Sequence, residues 1–129
     1  MKTYIIYGKP IPLKRARVTR FGAYDPQKKE KEEHREMVYI QRGNVSPETE
    51  GPLELIVTFY MPIPKTTPKK ILLQGTHHTK TPDIDNLVKY ILDVIQPILL
   101  RNDSIVSIII AEKVYDKNPR TEFVLHKVE

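Results

Sequence analysis

The chain has 129 residues, a formal net charge of +5 and a pI near 9.4. It has no cysteine, which excludes disulfides and thiolate metal sites and suits a reducing cytoplasm. No segment approaches the roughly 20 apolar residues of a membrane span, and the apolar run in MKTYIIYGKP is too short for a signal peptide.

This length predicts a single domain over residues 1–129, large enough to bury a core without staples. The basic excess points, weakly by itself, to an anionic partner, most often nucleic acid. Lys2 to Tyr7 reads as a first strand. The segment GKPIPLKRARVTRFGAY follows as a proline- and glycine-containing loop carrying Lys9, Lys14, Arg15, Arg17 and Arg20. Asp25-Pro26 looks like a helix start, and the helix runs through KKEKEEHREMVYIQR to Gly43. Its apolar content is thin, which predicts a surface position.

LELIVTFYMP is a second strand. The stretch from Met61 to Pro82 is long for a loop in a compact domain, and Thr67 to Gly75 has the caps of a helix of one or two turns. A further helix is predicted from Asp83 to Gln96. Ile84, Leu87, Val88, Ile91, Leu92, Val94 and Ile95 occupy its core-facing arc, and Asp85, Lys89 and Asp93 lie on the other. Pro97 closes it. IVSIIIAEKVY and TEFVLHKV are a third and a fourth strand around the turn DKNPR. The predicted fold class is α/β (α+β), a small mixed sheet of about four strands with helices packed on it.

The chemistry concentrates in KTPDIDNLVKYILD. Residues two apart on a regular helix diverge, so Asp83 and Asp85 converge only if Asp83 lies at or before the cap. Pro82 favours that entry, and the helix N-terminus favours the ionised carboxylates. Paired hard oxygens suit Mg²⁺ or Mn²⁺. The plainer reading is an N-cap followed by a first-turn acid, and DxDN alone favours it. Asp103, in LLRNDSIV, is either a third ligand brought back along the helix or part of an Asx turn entering a strand.

Together these residues resemble the RusA family of Holliday-junction resolvases. The likeness lies in the basic proline loop from Gly8-Lys9-Pro10 through Arg17, in PDIDNLVKYILD, in NDSIV and in Lys113 of AEKVY. It spans most of the chain. It implies a RusA-like fold and Mg²⁺-dependent cleavage of four-way junction DNA, with Mn²⁺ as a substitute. It matches Asp83, Asp85 and Asp103 to the family's essential carboxylates and metal ligands, and Lys89 to its essential lysine. One departure stands out: Asn102-Asp103 replaces the family's usual pair of aspartates.

The expected mechanism has the cation between Asp83, Asp85 and Asp103, with Lys89 orienting the phosphate. Asp93 is expected to pair with Lys89. Lys14, Arg15 and Arg17 are the expected DNA contacts, positioning phosphates without reading sequence. Tyr24 is open between packing and stacking, and Lys113 between facing the site and covering a sheet edge. His77 and His78 read as surface residues. The two-fold symmetry of a junction and the resemblance both imply a homodimer. The edge of the sheet and the apolar segment at Leu72 are candidate contact surfaces. Rival readings are a nuclease of the same fold acting on flaps, nicks or forks, a branched-DNA binder without activity, and a basic structural protein whose acids are only helix caps.

Overall fold

The computed structural model describes residues 2–129. Its elements are β1 (Tyr4–Tyr7), β2 (Arg17–Thr19), β3 (Gly22–Tyr24), α1 (Lys28–Arg42), β4 (Leu53–Pro62), α2 (Ile84–Ile95), β5 (Val106–Asp116) and β6 (Arg120–Lys127). Four strands form a mixed sheet in the order β1-β6-β4-β5, and β2 and β3 form a separate hairpin. Within the sheet β4 and β5 are parallel, while β6 pairs antiparallel with both β1 and β4. This is an α+β architecture, a mixed sheet of four strands with helices packed on it, as the sequence predicts.

Strict alternation builds β4. Leu53, Leu55, Val57, Phe59 and Met61 are buried on one face, as a period of two requires. Against them lie Leu87, Tyr90, Ile91, Val94 and Ile95 of α2, with Val38 of α1 and Phe123 of β6 in the same cluster. A parallel pair needs a crossover, and α2 supplies it. The helix therefore runs against the strands. Its N-terminus lies at the C-terminal ends of β4 and β5, and its C-terminus lies where β5 begins.

Three segments differ from the sequence expectation. Thr67 to Gly75 is not helical but a series of turns, with Thr67 N–H donating to Pro64 O (3.1 Å) and Ile71 N–H to Pro68 O (2.9 Å). A helix this short cannot sustain itself, and Leu72, 83% exposed, has no apolar surface to dock on. The end of this loop instead lines the edge of β5, where Gly75 N–H donates to Tyr115 O (2.8 Å) and His78 N–H to Lys113 O (2.9 Å). The basic loop contains the hairpin β2–β3. Finally, β5 is preceded by one tight helical turn, Asp103–Ile105. Among the described residues no helix is long and apolar enough to cross a membrane.

Candidate active site

Pro82 delivers the chain to α2 with Asp83 in extended geometry (φ −69°, ψ 142°). Asp83 is thus the cap residue, and its carbonyl takes the first helical hydrogen bond, from Leu87 N–H (3.2 Å). Its side chain makes no capping bond, so this exposed carboxylate is not spent on the helix end. Asp85 follows in the first turn. Among the described residues its only ion pair is with Lys89, at 3.9 Å between two largely exposed side chains. That distance is too long for a hydrogen bond and leaves both groups available.

Lys113 fixes this entry. It lies on the helix-facing side of β5, beside Phe59 of β4. Its ammonium donates to Lys80 O (2.7 Å) and Pro82 O (2.8 Å), the carbonyls just before Asp83. The side chain therefore neither covers the sheet edge nor points into solvent; it holds the strap that aims Asp83.

The basic segment is tied to the same helix. Leu13 N–H donates to Asn86 O (2.9 Å), and the Gln27 side chain accepts from Lys14 N–H (2.8 Å) while donating to Pro12 O (2.8 Å). Lys14, Arg15 and Arg17 are all exposed. Lys14 and Arg15 share an open groove along α2 with Lys89, Asp93, Gln96 and Asp103, and Arg17 stands beyond it on the hairpin. Tyr24 faces Arg17 across the hairpin and is 48% exposed, so about half of its surface stays open.

Asp103 lies at the other end of α2, where its N–H donates to the Gln96 side chain (3.2 Å). Between Asp83 and Gln96 the helix rises about 20 Å. The parallel crossover causes this separation: β5 does return along the helix, but Asp103 precedes it. Among the described residues no three His, Asp or Glu side chains stand close enough to hold one ion. Asp83 and Asp85 by themselves fit a hard divalent cation as two oxygen ligands: exposed, uncapped and at the positive end of a helix. Asn102 does not extend the set, because its side-chain oxygen accepts from Ser104 N–H (2.9 Å).

Asp93 does not pair with Lys89. It pairs with Lys31 of α1 (2.7 Å), which also binds Asp25 (2.5 Å). Lys31 is buried, and nothing in its sequence context marked it. Its hydrogen bond, then the Gln27 amide, hold the Asp25 carboxyl below its ordinary value. Burial pulls the Lys31 ammonium down, but its bonds to Asp25 and Asp93 together outweigh this and raise it. His77 is a surface residue with Glu112 at 3.4 Å, and His78 rests on the Tyr115 ring.

A family model described as endodeoxyribonuclease RusA matches residues 7–125. The chain is also 30% identical, over 138 aligned positions, to the uncharacterized protein YqaN of Bacillus subtilis (strain 168), an alignment covering 97% of this chain and 95% of that protein.

Proposed function

The chain belongs to the RusA endodeoxyribonuclease family, and on that premise we propose that it resolves four-way DNA junctions, in recombination and repair, by paired Mg²⁺-dependent cleavage of phosphodiesters. The observation that carries this reading is the Asp83–Asp85 pair. These carboxylates are left uncapped, aimed by the Lys113 strap and set beside a basic segment anchored on Asn86. Helix caps alone would require none of this.

Asp83, Asp85 and Asp103 would hold the cation. When bound, it offsets negative charge developing on the phosphoryl group and makes water a stronger nucleophile. Lys89, loosely held, is free to swing onto a phosphate oxygen and stabilise that charge. Lys14, Arg15 and Arg17 hold the flanking backbone.

Asp103 joins the pair through a second copy of the chain. β5 is the edge strand, and the loop at Gly75 to His78 covers it only opposite Lys113 to Tyr115. On the uncovered stretch Ile108, Ile109 and Ile110 are 39%, 43% and 55% exposed. An open apolar edge invites strand pairing. Two copies paired antiparallel about Ile108 would bring Asp103 of one toward the partner subunit's Lys113, whose ammonium holds the strap before Asp83 and Asp85. The homodimer then completes two equivalent sites, matching the symmetry of the junction.

Asp85→Asn should lower junction cleavage about 100-fold or more, with junction affinity held within about threefold. Equal loss of both would contradict the role. Mixing Asp85→Asn with Asp103→Asn protein should restore nicking, because a mixed dimer keeps one intact site. No recovery would place the whole site within one subunit.

A further inference from the structure

All six residues of the β2–β3 hairpin are exposed. Two strands alone are marginal in water, and the tip of this hairpin is tied by its own hydrogen bonds. Thr19 and Gly22 are directly paired, and the Thr19 hydroxyl accepts from Phe21 N–H (3.2 Å) while donating to Gly22 O (3.2 Å). Gly22 has φ +116°, a conformation open to glycine and strained for other residues. The turn thus presents Phe21 outward, 87% exposed, with the Arg20 guanidinium 4.8 Å from its ring centroid.

Isolated exposed apolar residues are ordinary. Phe21 differs in its setting. It caps an arm that carries five basic residues and no acid from Lys9 to Tyr24. The root of that arm is bonded to the first turn of α2, beside the candidate carboxylates. Phosphate contacts by such an arm position the backbone without touching a base. An aromatic ring adds a way to tell branch from duplex, because bases within a duplex are already stacked, while those at a branch point open at lower cost.

We propose that Phe21 is a wedge that stacks on bases at the branch point and so selects junction over duplex, while Arg15, Arg17 and Arg20 hold the phosphates around it. The inference rests on the junction reading above. The charge of the arm fits DNA, and the ring lies at its apex.

The test uses Asp85→Asn protein in buffer without divalent metal, so that the junction stays intact, and a synthetic junction with 2-aminopurine at the branch point. Binding should raise its fluorescence as the base unstacks. Adding Phe21→Ala should abolish the rise and weaken junction binding about tenfold or more, with linear-duplex affinity within about twofold. Phe21→Trp should restore both. An unchanged rise and affinity in Phe21→Ala would overturn the wedge alone, as would equal weakening on junction and duplex. So would dissociation of the variant into monomers, which would assign Phe21 to a subunit contact. A parent that binds junction no better than duplex would overturn the junction reading and the wedge with it.

Discussion

Lys31 occupies a position where an apolar side chain would ordinarily sit. Its ammonium is buried between Asp25, at the root of the basic arm, and Asp93, on α2. A buried charge persists only when paired, and removing it leaves two carboxylates facing each other. Lys31→Met should cost about 1–3 kcal/mol of stability near neutral pH, moderated because both carboxylates are partly solvated. The pH dependence follows from the shifts. Asp25 is depressed below 3.8, so its contribution is present above that value and is lost as pH falls through the lower folded one. Lys31 is raised above 10.5, so its contribution is present below that value and is lost only in strong alkali. His34, depressed by burial, adds a loss beginning near pH 6.5 that the variant shares. Urea midpoints measured from pH 3 to 8 should fall steeply below about pH 4 in the wild type and more gently in Lys31→Met; parallel curves would contradict the pairing. The sequence carries the spacing but hides the role, because one residue cannot reveal that its counter-ion lies on another helix. The cap position of Asp83 and the first-turn position of Asp85 were legible because proline, cap and first turn are neighbours in the chain.

The elements read easily from the sequence were those with a strong apolar signal: β4 by its β-branched and aromatic residues, β6 by alternation and α2 by its helical arc. The helix α1 was legible in extent and in its surface position, but not in how it docks. Its inner stripe sets polar residues around the buried Val38, and each of these residues makes at least one hydrogen bond to the rest of the fold. His34 meets the Tyr90 hydroxyl (2.7 Å), Arg35 donates to Asp93 O (3.0 Å) and Arg42 to Ile98 O (3.0 Å), while the Gln41 amide clasps both backbone groups of Ile5 on β1 (2.8 and 2.6 Å). A hydropathy pattern does not register such docking. The β2–β3 hairpin escaped for another reason: its strands have three residues each, all exposed, and no periodicity to detect. The strap held by Lys113 is an element-scale device joining β5 to the start of α2. Lys113→Met should lower cleavage about tenfold and raise the Mg²⁺ concentration for half-maximal rate, leaving junction binding little changed. An unaltered Mg²⁺ dependence would show that the strap does not set the carboxylates.

At the scale of the whole molecule, topology decides what a subunit can assemble. The crossover from β4 through α2 to β5 places Asp83 and Asp85 at one end of the helix and Asp103 at the other. The resemblance and the expected return along the helix suggested a single cluster, and the parallel pairing of β4 and β5 reveals the distance. The same topology leaves β5 as an open edge bearing Ile108 to Ile110, so the feature that divides the acids also offers the surface for joining two copies. The most direct test is cleavage of a synthetic four-way junction with Mg²⁺, mapped on all four strands beside a linear duplex of the same sequence. Paired symmetric nicks on the junction, absent from the duplex and abolished by chelation, are the predicted result. Tight junction binding without nicks in Mg²⁺ or Mn²⁺ would contradict the account and leave a branched-DNA binder.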